Sequence, residues 1–376
     1  MRIIRPGGQI VNWEIAFAQG CNLRCAYCSS GFGQFGAASP SFMERPVWER
    51  LAGLIASESA PGGRVNLDVQ GGETFLRARD FLAFVDAVRD RAGRKKTSVT
   101  VQVTTNGTIF DPALRDACFE RQIKVIFSLD GPASLHDRNR RTGTGKGSHR
   151  TAMAHWRSYR DLARSKKNPS LCRVQSVYTG DMDLARLEKY WLRRGERLFQ
   201  CLVQESSRFQ DAESRRALSR RRAKYLRDFR KSAMDHAAAL TVPDFLSRYR
   251  GTDQLFEFWT TKFLGGSPSQ CAAGIAAIGV DASGILYPCL ALIGSDRWAI
   301  GDVRTGIDRA RRERFLRARA RALRPCGSCR IRDYCRGGCP AAGPGDDLAL
   351  NSQEGCAFMM NLVGIAHRAY AVMESQ

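Results

Sequence analysis

Cys21, Cys25 and Cys28 follow one another as Cys-x3-Cys-x2-Cys within a single short loop. Thiolates so placed can share a metal centre, and a cubane [4Fe–4S] cluster usually takes its full ligand set from such cysteines. Three ligands leave one iron open to a small molecule. The next cysteine in the chain is Cys118, so the nearby fourth ligand of a ferredoxin-type run is missing. A zinc site would bring a second pair at finger spacing, and none follows nearby. The loop therefore reads as an under-ligated iron–sulfur site that can bind and activate a small ligand.

A denser group lies at the other end of the chain. Its spacing is Cys271-x12-Gly284-x4-Cys289, then Cys326-x2-Cys329-x5-Cys335-x3-Cys339, then Cys356. Of 13 cysteines in all, these and the first loop leave Cys118, Cys172 and Cys201. Those three fall in segments that read as barrel elements, where cysteine behaves as a small buried hydrophobe. The N-terminal stretch MRIIRPGGQIVNWEIAFAQG has no apolar core followed by a cleavage site, so it reads as a first strand rather than an export signal. A cytoplasmic location is expected. Clustered thiols in a reducing compartment point to metal, not to disulfides.

The elements that must carry these loops alternate. Strands are expected at 11–19, 65–70, 98–105, 123–130, 173–179 and 197–204, from alternating or β-branched runs such as VNLDVQ and SVTVQVTT. Helical patterns such as ERPVWERLAGLIASES at 44–59 and RDFLAFVDAVRDRAG at 79–93 lie between them. Strand–helix alternation implies a parallel sheet with crossover helices. Six units are too few for a closed eight-fold barrel and suit a partial (β/α)6 barrel, with function at the C-terminal strand ends. Gly71 to Thr74, Asn106-Gly107 and Ser128 to Pro132 each close a strand.

With Tyr27 just before its last cysteine, the first loop resembles the signature of the radical S-adenosylmethionine superfamily. The resemblance implies that the open iron chelates the methionine part of S-adenosylmethionine, and that an electron from the cluster splits the sulfonium to give a 5′-deoxyadenosyl radical. That radical takes a hydrogen atom from the substrate. Other positions match in order. Gly71-Gly72-Glu73 resembles the GGE motif, whose carboxylate accepts from the cofactor ammonium; Thr74 follows where many members have Pro. Ser128-Leu129-Asp130-Gly131-Pro132 resembles the SLDGP segment of one branch, in which the Ser reaches the cofactor. His136-Asp137-x2-Arg140 continues that branch, with Arg140 against the cofactor carboxylate and Arg141 in reserve. Thr105-Asn106-Gly107 is similar to a strand-end element of the same branch.

The C-terminal spacing resembles the SPASM extension, which implies two auxiliary [4Fe–4S] clusters. Cys326, Cys329, Cys335 and Cys356 would hold the outer one, and Cys271, Cys289 and Cys339 the inner one. The seven cysteines are one ligand short of two full sets. The inner cluster would thus have three cysteine ligands and a site open or filled by another group. Asp281 is an oxygen donor in range by sequence, but before Ser283-Gly284 it reads first as a turn residue. The domains expected are a radical S-adenosylmethionine barrel over 1–204, an Arg-rich helical connection over 205–265 and the SPASM domain over 266–376.

The net charge is +22 and the pI about 9.9. Such a field draws anionic partners. An acidic peptide or protein fits; nucleic acid is disfavoured, since no recognisable nucleic-acid module accompanies the charge. The Arg-rich segment 205–250 and the basic run 309–324 read as charged outer faces, or as docking surfaces for an acidic partner. No unbroken apolar run of about 18 residues appears, so no membrane span is expected.

Members with this extension mostly modify ribosomally made peptides or proteins. They form thioether or carbon–carbon crosslinks, or oxidise a Cys or Ser of a sulfatase to formylglycine. The resemblance therefore implies a peptide or protein substrate, an external electron donor and, because Cys21 lies so near the N-terminus, a separate leader-binding protein or a leader site within the body of the chain. Sulfatase-maturating members carry an Asp base directly after the cysteine equivalent to Cys289. Here that residue is Leu290, which favours an intramolecular crosslink over the alternative of sulfatase maturation. A mere electron carrier would have no use for Gly71-Gly72-Glu73 or Ser128.

Overall fold

The computed structural model describes residues 10–196, 199–203, 212–249, 271–335, 337–339, 341, 348 and 353–375. The chain opens with β1 (Asn12–Gln19) and the short β2 (Ser41–Phe42). It then alternates through α1 (Arg45–Glu58), β3 (Arg64–Gly71), α2 (Ala78–Gly93), β4 (Ser98–Thr105), α3 (Pro112–Glu120) and β5 (Lys124–Ser128). Next come α4 (Ala133–Asn139), α5 (His149–Ser165), β6 (Cys172–Tyr178), α6 (Leu184–Leu192) and β7 (Phe199–Val203). The helices α7 (Ala212–Ala239) and α8 (Val242–Tyr249) follow. Short strands β8 (Ala277–Val280), β9 (Ile285–Tyr287), β10 (Gly301–Asp302) and β11 (Gly306–Ile307) lead to α9 (Arg309–Ala322), α10 (Arg332–Cys335) and α11 (Gln353–Glu374). The six expected strands are β1, β3, β4, β5, β6 and β7, and the architecture is the expected α/β one. The expected domain boundary near 250–270 lies outside the described residues.

Two compact units are present. The first comprises Met1–Ser128, Asp137–Arg173 and Ala272–Arg319; the second comprises Leu129–His136, Val174–Cys271 and Ala320–Gln376.

In the first unit β1, β3, β4 and β5 pair in parallel, in that order. On its other side β1 pairs in parallel with β8, which continues into an antiparallel run of β9, β10 and β11. Register follows from which face each side chain needs. Trp13, Ile15 and Phe17 of β1, Val65, Leu67 and Val69 of β3, and Val101 and Val103 of β4 are buried on one face. Phe17 packs edge-on against Phe81 and at a tilt against Phe84 of α2, with ring centroids 6.0 and 5.7 Å away. That face is the core, covered by helices. The other face is polar. Glu14, Asp68, Gln102 and Lys124 lie side by side across β1, β3, β4 and β5. Asn66 donates to Asn12 at 2.8 Å one layer below, and Gln70 donates to Asp68 at 2.8 Å. A parallel sheet is ordinarily apolar on both faces because helices cover both. A polar second face marks a surface kept for something other than packing.

Local chemistry sets the helix starts. Asp111 accepts the Leu114 N–H at 2.8 Å with Pro112 in the first turn of α3. Asp183 accepts the Arg186 N–H at 2.7 Å at the start of α6.

In the second unit β6 and β7 pair in parallel. The Arg-rich segment forms α7, and it is amphipathic rather than solvated all round. Leu218, Tyr225, Phe229, Ala233 and Ala237 are buried, whereas Arg216, Arg220, Arg227, Arg230 and Lys231 are exposed. Tyr225 packs on Phe358 of α11, and Arg222 lies over the same ring. The stretch Gly355–Glu374 of α11 has a mean hydropathy of 1.2 over 18 residues and is long and apolar enough to cross a membrane. An unbroken-run criterion passes over it because Asn361, His367 and Arg368 interrupt it. Its Leu362, Val363, Ile365, Ala366 and Ala369 are buried within the unit.

Candidate functional site

The Cys21–Cys28 loop leaves the C-terminal end of β1 and is pinned by backbone bonds. Arg24 N–H donates to Arg141 C=O at 2.7 Å and Ala26 N–H to Asn139 C=O at 2.9 Å. All three cysteines are half-buried. The Leu23 N–H points at Sγ of Cys21 at 3.4 Å, and the Phe32 N–H at Sγ of Cys28 at 3.0 Å. Asn106 Nδ2 lies 3.6 Å from Sγ of Cys21. N–H groups aimed at sulfur favour the thiolate, the form that binds metal. Burial pushes the Cys21 thiol up to about 12, so a cationic centre must supply the charge that keeps it ionised.

The β3 end meets this loop backbone to backbone. Gly72 N–H donates to Ala18 C=O at 2.7 Å, and Glu73 N–H to Gly20 C=O at 2.9 Å. A Cβ on Gly72 would lie 2.0 Å from the Gly20 oxygen, so no other residue fits there. Glu73 is fully buried. Its Oε1 accepts from the Phe75 N–H at 3.1 Å and the Thr105 hydroxyl at 2.8 Å, and its Oε2 from the Asn106 N–H at 2.8 Å. Burial raises its pKa to about 7 against these three donors. A carboxylate has about four lone-pair sites, so one remains for an outside donor. The sequence pointed to Glu73 as a cofactor contact but missed its clamp across the ends of β3 and β4.

Sequence reasoning also missed Asn22 and Thr108. Asn106 Nδ2 donates to Asn22 Oδ1 at 2.8 Å, and Asn22 Nδ2 to Thr108 Oγ1 at 2.8 Å. Polar residues flanking Cys21 and Gly107 were the available signal. Ser128 closes β5 and is half-exposed. The two arginines part company. Arg140 is buried, its guanidinium 5.2 Å from the centre of the Tyr27 ring, whereas Arg141 is exposed and donates through Nε to Asp137 C=O at 2.9 Å. Asp137 itself accepts the His149 N–H at 2.8 Å.

In the second unit Cys326, Cys329, Cys335 and Cys356 share one neighbourhood. After burial, the charges of Cys356, Cys326 and Cys329 act to raise the Cys335 thiol, and those of Cys356 and Cys329 the Cys326 thiol. Cys329 N–H donates to Cys326 C=O at 3.1 Å, the turn that a C-x2-C pair needs. Cys271 and Cys339 are half-buried. Cys118 and Cys172 are buried in α3 and β6, and burial pushes the Cys118 thiol up to about 12, as befits core residues. The side chain of Cys201 lies outside the described residues. No three His, Cys, Asp or Glu groups among the described residues are placed to hold one metal ion. A cubane spreads its ligands wider than a single ion does.

Around Cys289 the first unit is closely built. Gly274 N–H donates to Pro288 C=O at 2.8 Å. Arg312 of α9 donates to the carbonyls of Gly274 and Ile275 at 2.7 Å each, and Arg319 to that of Ala273 at 3.1 Å. A Cβ on Gly279 of β8 would lie 2.4 Å from the Cys289 carbonyl carbon. Leu290 N–H donates to Glu14 Oε2 at 2.7 Å. Asp281 accepts from Ser283 N–H, Ser283 hydroxyl, Ile285 N–H and Tyr287 hydroxyl. Its oxygens are engaged in its own turn.

A sequence model of the 4Fe-4S single cluster domain matches residues 7–153, which span the Cys21 loop and the ends of β3, β4 and β5. The cysteine-type anaerobic sulfatase-maturating enzyme of Clostridium perfringens is 22% identical over 334 residues, 86% of each chain. The structure of native anSMEcpe with bound AdoMet superposes with a TM-score of 0.74 at 20% identity, over 97% of this chain and 99% of that one. Over nearly its whole length this chain resembles radical S-adenosylmethionine enzymes. Streptococcus suis SuiB bound to S-adenosylmethionine shares the fold at a TM-score of 0.55 and 15% identity, over 92% of the enzyme and 77% of SuiB. The enzyme's cofactors are [4Fe–4S] clusters and S-adenosylmethionine. The donor set fits them: three half-buried thiols, two of them with N–H groups on sulfur, a glycine contact with no room for a side chain, and a buried arginine on Tyr27. The enzyme has SPASM-type features, and its C-terminal cysteines agree with auxiliary clusters.

Proposed function

We propose that the enzyme is a maturase that oxidises a residue of a ribosomally made peptide or protein by removing two hydrogens, and that the product is an intramolecular thioether or carbon–carbon crosslink. When bound, the first cluster and S-adenosylmethionine supply a radical that takes a hydrogen atom from the substrate. Cys21, Cys25 and Cys28 would hold that cluster. Glu73, Gly71, Gly72, Asn106, Ser128, Tyr27 and Arg140 would orient the cofactor, with Arg140 preferred to Arg141 because it is buried and stacked. Cys326, Cys329, Cys335 and Cys356 would hold an outer auxiliary cluster, and Cys271, Cys289 and Cys339 an inner one. The peptide class is supported by relatives of this fold. One SuiB structure is bound to precursor peptide SuiA, at a TM-score of 0.53, and one anSMEcpe structure to the Cp18Cys peptide, at 0.74.

The observation that carries the crosslink reading is Leu290, an apolar residue directly after Cys289. A second reading, sulfatase maturation, is favoured by the length-wide likeness to the Clostridium perfringens enzyme. The exposed arginines of α7 and α9 are surfaces for an acidic peptide. An external electron donor, a separate leader-binding protein and a cytoplasmic location complete the proposal.

The test is mass spectrometry of candidate peptides co-expressed with the enzyme, chosen from the adjoining reading frames. A crosslink appears as loss of two hydrogens with every thiol sulfur retained and no aldehyde that a hydrazine reagent can trap. A trappable aldehyde, from a cysteine that has lost its sulfur or a serine that has lost two hydrogens, gives the sulfatase reading instead. If reconstituted enzyme with reductant releases no 5′-deoxyadenosine from S-adenosylmethionine, both readings fall.

A further inference from the structure

Both readings require the substrate to lose a proton as well as a hydrogen atom, and the residue directly after Cys289 is Leu290 rather than a carboxylate. Several carboxylates near the site are already spoken for. Glu73 is fully buried and takes three internal hydrogen bonds. Asp281 is consumed by its own turn. Asp130 is fully buried and accepts the Val177 N–H at 3.0 Å.

Glu14 differs. It stands on the polar face of the sheet, opposite Trp13 and Ile15, which face the helices. The residue is half-buried rather than sealed in the core. Its Oε2 is fixed by the Leu290 N–H at 2.7 Å. Among the described residues, Oε1 takes no hydrogen bond. The neighbouring strand β8 has Gly279 opposite Glu14, and the missing side chain there lets the Cys289–Leu290 peptide lie against the sheet. From Glu14 to the end of β1 at Gln19 is about 16 Å at 3.3 Å per residue. Glu14 thus stands on the polar face well below the strand end that carries the Cys21 loop. Burial and the nearby Asp68 charge raise the pKa of Glu14, against lowering by the Leu290 N–H. A raised carboxylate is better matched to taking a proton near neutral pH. Lys124, in the same row, keeps the layer from being purely acidic.

We propose that Glu14 is a catalytic residue, held by the Leu290 N–H, whose Oε1 takes up the proton lost by the peptidyl residue as it is oxidised. The proposal rests on the peptide-oxidation reading above. The balance is one hydrogen atom to the cofactor-derived radical, one proton to Glu14 Oε1, and one electron to a one-electron acceptor of the iron–sulfur class. In the crosslink case the proton leaves the attacking thiol or carbon as the new bond forms.

The experiment compares wild type, Glu14→Gln and Glu14→Asp as reconstituted holoenzymes with the peptide that wild type modifies. Product and 5′-deoxyadenosine are both quantified, and iron content and the electron paramagnetic resonance spectrum are recorded. Expected is a fall of at least tenfold in product per 5′-deoxyadenosine for Glu14→Gln, with iron and spectrum unchanged. Glu14→Asp, which returns the carboxylate, should recover coupling several-fold above the Gln variant. Wild-type coupling in Glu14→Gln overturns the proposal. So does a Gln variant that loses iron and 5′-deoxyadenosine together, since Glu14 would then only hold the Cys289 loop. An Asp variant no better than Gln overturns it too. A wild type that cleaves S-adenosylmethionine but alters no peptide overturns the parent reading, and this one with it.

Discussion

The carboxylate of Glu73 accepts the backbone N–H of Asn106 at 2.8 Å, and so ties the end of β3 to the end of β4. The side chain of that same Asn106 reaches Cys21 and Asn22. One buried acid thus fixes both the strand ends and a group beside the first cysteine.

Glu73 makes stability depend on pH. Its folded pKa is raised from 4.5 to about 7. The folded state therefore binds the proton more tightly than the unfolded chain. The stability it contributes is fully present below about 4.5 and is lost as pH rises through about 7, on the order of 3 kcal/mol in all. Denaturant unfolding under anaerobic conditions should show that slope in wild type. Glu73→Gln should flatten it and cost about 2 kcal/mol below the transition, because its amide nitrogen faces an N–H donor.

Gly72→Ala should be far worse than its size suggests. The new methyl group would sit 2.0 Å from the Gly20 oxygen, so the Cys21 loop must move. A loss of about 3 kcal/mol and a fall of more than about a hundredfold in 5′-deoxyadenosine release are expected. Unfolding curves and product chromatography check both.

Cys25→Ala should remove one cluster's iron and abolish S-adenosylmethionine cleavage. Cys118→Ala should keep both, at a cost of about 1 kcal/mol, because Cys118 is a buried side chain in α3. Iron assay with turnover separates the two.

Arg140→Lys should raise the dissociation constant for S-adenosylmethionine about tenfold, since lysine keeps the charge but not the planar stack on Tyr27. Arg141→Ala should change it less than about twofold, its side chain being exposed. Equilibrium dialysis measures both.

The strands and the motifs at their ends were legible because each rests on local pattern. The alternation in VNLDVQ separates Val65, Leu67 and Val69 from Asn66, Asp68 and Gln70, and the structure places them on opposite faces. The two roles of Glu73 were only half legible. Its clamp depends on Thr105 and Asn106, which are 32 and 33 residues away in the chain. Glu14 was invisible by sequence, since its partner Leu290 is 276 residues distant. The arginines of α9 looked like a charged face, yet Arg312 and Arg319 turn inward to three carbonyls after Cys271. Composition cannot say which arginine of a run will do so.

The sheet of the first unit divides its labour between its faces. The helix-covered face, with Trp13, Phe17 and Val69, carries the burial that keeps the strands folded. The Glu14–Asp68–Gln102–Lys124 row contributes little of it. Substitutions at Asp68, Gln102 or Lys124 should therefore leave the scaffold intact. For evolution or for an engineer, chemistry and architecture are written here on separate sides of the same strands.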